Sequence, residues 1–360
     1  MVFPPIKLPL ALFCLFTVNS VFWATNTATG WFAVRKLVLF LIILLAVNLI
    51  ASSRHLRWLW QGIFIEAAVV GLIAAGQFFQ QYRMVRAEHP HHIYFYMIGT
   101  RITGLMGDWM NFGGQQMLVF TFFAAFLLFA MRFRRVWWAA MAVIALSIVL
   151  NLTRGVWLGC FFAIVYLLCR WKPKWVLALP ILAVVIYLFA PRVIHERLWL
   201  ALHPERDPAL AIRFQMWHVG LRMIKAHPWV GVGPNNIPEV YNLYLPKGEA
   251  PIAGYHSHLH DNFIQFAAER GLPCLGAWIW LMAALLWHIW KIRRRSGPSL
   301  WLVDGAIAAW LAFVVEGFFE FNFGTSPVLM VLLFVVSTPF AVERIKTVED
   351  ASEHGFLHAE

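Results

Sequence analysis

The chain has 360 residues, of which 61% are hydrophobic, 16% aromatic and 13% charged, with 19 tryptophans and a formal net charge of +11. A soluble domain carries about 25% charged residues, so this composition cannot clothe a water-facing surface. A mean hydropathy of +0.68 reads instead as a polytopic membrane protein, and a nucleic-acid binder, a secreted disulfide scaffold and a disordered chain are excluded.

In chain order, apolar runs of the roughly 17 to 25 residues that cross a bilayer fall near 8–24, 34–51, 61–80, 112–131, 136–152, 155–170, 175–191, 271–290, 300–320 and 325–342. They predict an all-α bundle of about ten spans, because helices satisfy their own backbone in lipid. One basic residue, Lys7, precedes the first run, which reads as an uncleaved span.

Cytoplasmic loops hold the excess of Lys and Arg. With alternating sides, Lys7, Arg54, Arg57, Arg132, Arg134, Arg135, Arg170, Lys172, Lys174, Lys291, Arg293, Arg294, Arg295, Arg344 and Lys346 share one face in short connectors, which puts both termini in the cytoplasm. Arg35 and Lys36, at the outer end of the second span, break the rule. Cys14, Cys160, Cys169 and Cys274 lie in or beside spans and read as small apolar residues. The chain thus divides into an N-terminal transmembrane bundle over residues 1–191, an outer helical segment over 192–270, a C-terminal transmembrane bundle over 271–347 and a frayed cytoplasmic tail over 348–360.

Two outer segments, 81–111 and 192–270, hold ten of the 14 histidines, which concentrates polar chemistry on one face. From Arg213, a turn of 100° per residue puts Phe214, Trp217, Leu221 and Ile224 between about 20° and 100°, and Lys225, His218, Arg222 and Gln215 between about 120° and 200°. This predicts an amphipathic helix lying on the bundle and ended by Pro228. Arg222 and Lys225 fall on its solvated stripe. Arg213 adjoins the apolar stripe, where an unpaired charge is costly, and so calls for an anionic partner. Arg154 sits alone between two apolar spans beside Gly155, and boundary charges of this kind carry function.

Further on, Asp261 predicts a helix N-cap, with Gly271 and Pro273 as the stop. His260 then stands at the positive end of a helix, where the field keeps its imidazole neutral, as a general base must be. His256, His258 and His260 at alternate positions also allow a transition metal, though no fourth ligand is near in sequence. Gly231-Val-Gly-Pro-Asn-Asn lacks the third glycine of a dinucleotide fingerprint and reads as a tight turn. Glu66, Glu316 and Glu320 lie in or near spans, as proton-relay groups of a transporter or as satisfied structural carboxylates.

Taken in order, Arg101-Ile-Thr-Gly-Leu-Met-Gly-Asp-Trp-Met-Asn, Thr-Arg154-Gly, Arg213 with Trp217 running into His227-Pro-Trp-Val-Gly-Val-Gly, His-Leu-His260-Asp-Asn-Phe-Ile-Gln and Glu269-Arg-Gly-Leu resemble the O-antigen ligase and polymerase superfamily over residues 100–276. Arg154 with Leu158, and His260 with Gly271, hold the family's spacings. Asp261 stands where the family has an amide or hydroxyl side chain, and Cys274 where a second glycine, Thr or Tyr is usual.

The resemblance implies a metal-independent, cofactor-free membrane glycosyltransferase of the C type in the bacterial inner membrane, with its site facing the periplasm. The implied donor is an undecaprenyl-diphosphate-linked glycan and the implied acceptor is lipid A-core. It implies His260 as catalytic base and Arg154, Arg213 and Arg101 as donor-binding residues, with His258, Asn262, Arg222, Lys225 and Trp217 behind them. Physical chemistry agrees: guanidiniums stabilise a departing diphosphate without a metal, and a neutral histidine takes the proton of an attacking hydroxyl. A polymerase or a protein O-oligosaccharyltransferase would share the donor. A lipid-glycan transporter would use the arginines for binding only.

Overall fold

A computed structural model describes residues 1–131, 134–250, 257–295 and 297–357, so that Arg132, Tyr255, His256 and the last three residues of the tail lie outside it. Among the described residues the elements are helices and no strand occurs. They are α1 (Lys7–Val21), α2 (Thr27–Leu49), α3 (Ser53–Glu88), α4 (Ile93–Gly99), α5 (Trp109–Phe129), α6 (Arg135–Leu150), α7 (Arg154–Trp171), α8 (Pro173–Phe189), α9 (Arg192–Leu202), α10 (Pro208–Ala226), α11 (Asn262–Arg293), α12 (Leu300–Glu316) and α13 (Ser326–Leu357).

Each apolar run read from the sequence coincides with one helix. Six of them, α2, α3, α5, α7, α11 and α13, are long and apolar enough to cross a membrane, and α1, α6 and α8 are shorter apolar helices. The protein is a multi-pass helical membrane protein. Helix α3 overshoots its expected span, since 36 residues extend about 54 Å, and its last turns project beyond the apolar run. The tail expected to fray instead continues α13 as helix to Leu357.

Helix α12 is the centre of the bundle, packed against α5, α7, α11 and α13, and its buried alanines Ala306, Ala308, Ala309 and Ala312 allow that close approach. At the end marked by the basic connectors, Arg293 of α11 donates to both carboxylate oxygens of Asp304 on α12, at 2.5 and 3.2 Å, and the Tyr166 hydroxyl of α7 donates to the same group at 2.7 Å. Lys36, one of the two basic residues that break the expected loop asymmetry, does not face a solvated loop. Its ammonium turns into the bundle to donate to the Gly324 carbonyl, while Arg35 lies over the Phe32 ring at 3.9 Å.

The face that α10 buries differs from the expected one. Met216, Val219 and Met223 are the buried side chains, whereas Phe214 and Leu221 are about half exposed. Apolar residues cover well over half of the helix circumference and only the polar arc is fixed by pattern. Met216, Val219 and Met223 fall at about 240° to 300° on the same wheel, so Phe214 and Leu221 are left facing outward.

Helix α11 carries the expected stop as an internal break. Gly271 adopts φ +81° and Pro273 follows, so the helix divides into an outer piece and a long inner one. The backbone groups freed there pair with the segment after α10: Val232 N donates to Ala268 O at 2.9 Å, Gly233 N to Glu269 O at 2.8 Å, and Leu272 N to Pro228 O at 2.8 Å. The glycine-rich segment is thus more than a turn, since it closes the backbone of a broken helix. Gly231, at φ +67°, is so close that a Cβ would stand 2.2 Å from the Glu269 carbonyl carbon. Gly231→Ala should therefore destabilise the protein by about 1–3 kcal/mol or more. Thermal unfolding in detergent measures this, and an unchanged melting temperature would refute it.

Candidate active site

The site lies at the end of the bundle opposite the basic connectors and is assembled from four stretches of chain. The first is the turn between α6 and α7. Leu152 is left-handed (φ +61°), which sends its carbonyl to the Arg197 Nε at 3.1 Å, while Arg197 Nη1 donates to the Tyr94 hydroxyl at 3.0 Å. Arg197 is buried on α9, a cation that sequence reasoning passed over. Arg154 opens α7 and its guanidinium pairs with Asp207.

Asp207, in the second stretch, has a further task. Its Oδ1 accepts from Ala209 N at 3.1 Å as the N-cap of α10. The carboxylate that neutralises Arg154 therefore also fixes the start of the helix that carries Arg213. Arg213 itself makes no ion pair within 4.0 Å among the described residues. Burial pushes its pKa down, and it feels the charges of Glu320, Arg197, Arg154 and Asp207. A guanidinium stays protonated under such pressure, so Arg213 is a half-buried cation in need of an anion.

The third stretch ends on His260, 9% exposed and held at φ +49°, a left-handed conformation uncommon outside glycine. Its Nδ1 meets Glu320 Oε1 at 3.1 Å and Oε2 at 2.9 Å, and His258 Nε2 meets Oε1 at 3.0 Å. The fourth stretch, the connector between α12 and α13, supplies Glu320, whose Oε1 also accepts from Phe321 N at 3.0 Å. Asn262 locks this connector to α11. Its backbone N–H donates to Gly317 O at 2.8 Å and its side-chain amide to Asn322 Oδ1 at 2.7 Å, while Asn322 donates to Glu316 at 2.9 Å. Asn262 is fully buried, so its place is in the scaffold beneath the site.

Electrostatics assigns the protons. Burial alone would raise the Glu320 carboxyl, but His260 and His258 outweigh it and hold the group well below the usual carboxylate range. Burial lowers the His260 imidazole pKa, with Glu320 pulling the other way and His258 and Arg213 adding to the drop. An anionic Glu320 beside a neutral imidazole requires the N–H on Nδ1, which leaves the Nε2 lone pair free. Asp261 accepts from Ile264 N at 2.7 Å as the expected N-cap, and burial pushes its pKa up to about 6.

The other residues singled out in the sequence lie around this core. Arg101 lies over the Trp109 ring at 3.1 Å and its Nε donates to Ile98 O at 3.1 Å. Arg222 is exposed and donates to Leu245 O at 3.2 Å, and Lys225 is exposed. The Trp217 indole N–H is buried without a partner among the described residues, its ring edge-on to Phe214. Glu316 is buried and accepts from the Asn322 amide, and Glu66 stands apart on α3, beside an apolar cleft.

His258, His260 and Glu320 are the group among the described residues able to hold a metal, with one ligand atom each and all three within 4.8 Å. As it stands, the arrangement presents a free imidazole lone pair beside half-buried guanidiniums. Such a pair can accept a proton from a hydroxyl and bind a developing anion. Residues 139–279 match a family model described as O-antigen ligase, a stretch that includes Arg154, Arg197, Arg213, His258 and His260 and ends before Glu320. No curated protein matches the chain.

Proposed function

We propose that the protein is an O-antigen ligase, moving a glycan from undecaprenyl diphosphate to lipid A-core at the periplasmic face of the inner membrane, a reading supported by the match of residues 139–279 to the O-antigen ligase family model. The observation that carries this reading is the His260–Glu320 pair, with Nδ1 held at 2.9 Å and Nε2 left open. In the reaction the acceptor hydroxyl attacks the anomeric carbon and gives its proton to His260 Nε2. The glycosidic C–O bond breaks and its electron pair leaves on the diphosphate, beside Arg213 and Arg154.

Glu320 is a positioning residue in this scheme, setting the tautomer of the base. One displacement inverts the anomeric centre and requires no carboxylate nucleophile. Arg154 meets the donor from a side chain 20% exposed, already paired with Asp207, so the diphosphate has to compete with a carboxylate for it. Membrane lipids surround the helices and deliver both substrates laterally.

Expression in a ligase-null strain tests the reading. Restored long-chain lipopolysaccharide on lipid A-core is the expected result. Glycan that lengthens on undecaprenyl diphosphate without reaching core would assign the polymerase reaction instead.

A further inference from the structure

The three side chains that set up the base also compose a ligand set, and nothing in the transfer chemistry uses them as one. His258 Nε2 and His260 Nδ1 converge on one carboxylate at 3.0 and 2.9 Å, with the three ligand atoms within 4.8 Å of one another. Two of these groups are held from behind. His258 Nδ1 contacts Ser257 Oγ at 2.9 Å, and Phe321 N donates to Glu320 at 3.0 Å. Outer contacts of this kind orient metal ligands. The alternate histidines hint at a metal in the sequence but lack a further ligand nearby. The fold brings that ligand from the connector between α12 and α13.

We propose that His258, His260 and Glu320 form a reversible binding site for a borderline divalent transition metal such as Zn²⁺, and that its occupancy switches the base off. Two imidazole nitrogens and one carboxylate oxygen suit zinc, nickel or copper. Magnesium and calcium favour oxygen ligands and are rejected. Three protein ligands leave one position open, and the Arg213 guanidinium, which feels the same Glu320 charge, opposes a second cation and keeps the ion exchangeable.

The switch follows from proton bookkeeping on the imidazole. In the metal-free site the ring proton is on Nδ1, donated to Glu320, and Nε2 is free. When the metal takes the Nδ1 lone pair, the neutral ring carries its proton on Nε2. No proton is lost, but the nitrogen facing the acceptor has become a donor. His258 follows the same course, its proton moving to Nδ1 beside Ser257. The off-state rests on the proposed role of His260 as base, whereas the metal site rests on geometry alone.

The test uses the full-length protein, tag-free in detergent, titrated with Zn²⁺ alone by calorimetry, with Mg²⁺ as control. One Zn²⁺ per chain is expected, weakened at least about tenfold in His258→Gln, His260→Gln and Glu320→Gln. Transfer by the wild type should fall as Zn²⁺ saturates, recover with EDTA and ignore Mg²⁺. Absence of a stoichiometric site, or binding unchanged in all three variants, overturns the proposal. Should the variants fail to fold, the visible spectrum of bound Co²⁺ on the wild type decides, and a spectrum without nitrogen ligation also overturns it. Stoichiometric Zn²⁺ with undiminished transfer overturns the off-switch. Activity of His260→Ala measured without metal decides separately whether the base reading itself has failed.

Discussion

His260→Ala lowers glycan transfer by about 10²–10⁴-fold, the range a positioned general base supplies, while the protein still inserts in the membrane and still binds donor. Its left-handed backbone (φ +49°) adds a cost that alanine bears and asparagine tolerates. His260→Asn is therefore the sharper variant, because it keeps the turn and removes the base. Purified protein with a lipid-diphosphate glycan gives the rate, and donor retention in a binding assay reports the intact anion site. Full transfer by either variant refutes the assignment.

The second large effect belongs to Glu320→Gln. The carboxylate accepts from Nδ1 at 2.9 Å. An amide in its place can donate to that nitrogen and drive the ring proton to Nε2, the wrong tautomer for a base. A comparable loss of tautomer control elsewhere costs up to about 10⁴-fold. The pH profile distinguishes this from a packing defect. Burial already lowers the His260 pKa and Glu320 raises it in part, so the wild-type rate falls in acid with a midpoint below the ordinary imidazole value of about 6.5. Removing the carboxylate removes the raising influence, and the acidic limb moves to still lower pH as the plateau drops. A limb that moves upward, or an unchanged plateau, would show that Glu320 does not position the base.

Legibility from sequence follows the range of the interaction involved. Apolar runs, the Asp261 cap and the Pro228 and Gly271 stops are local signals, and each reappears at its place in the fold. The buried face of α10 is not legible because apolar residues surround most of the helix, and only the packing partner selects Met216, Val219 and Met223. Glu320 is visible as a carboxylate near a span but not as the partner of a histidine 60 positions away. Asp207 is hidden for the same reason, since a cap in α10 gives no sign that it also meets Arg154. Lys36 breaks a statistical rule whose physical basis is the solvated loop, and a side chain folded inward does not sample that loop.

The broken α11 has a consequence for how this protein can vary. The short outer helix that follows His260 is registered against residues 228–233 by main-chain donors and acceptors, so the position of the base is written in atoms that every residue type possesses. The pairing itself uses no side chain, and the burden of accuracy falls on positions where a side chain must be missing. Gly231, Gly233 and Gly271, each at positive φ with a neighbouring atom inside 2.4 Å of a would-be Cβ, are those positions. A saturation scan of the two paired stretches would thus find its sharpest losses at three residues that carry no chemistry.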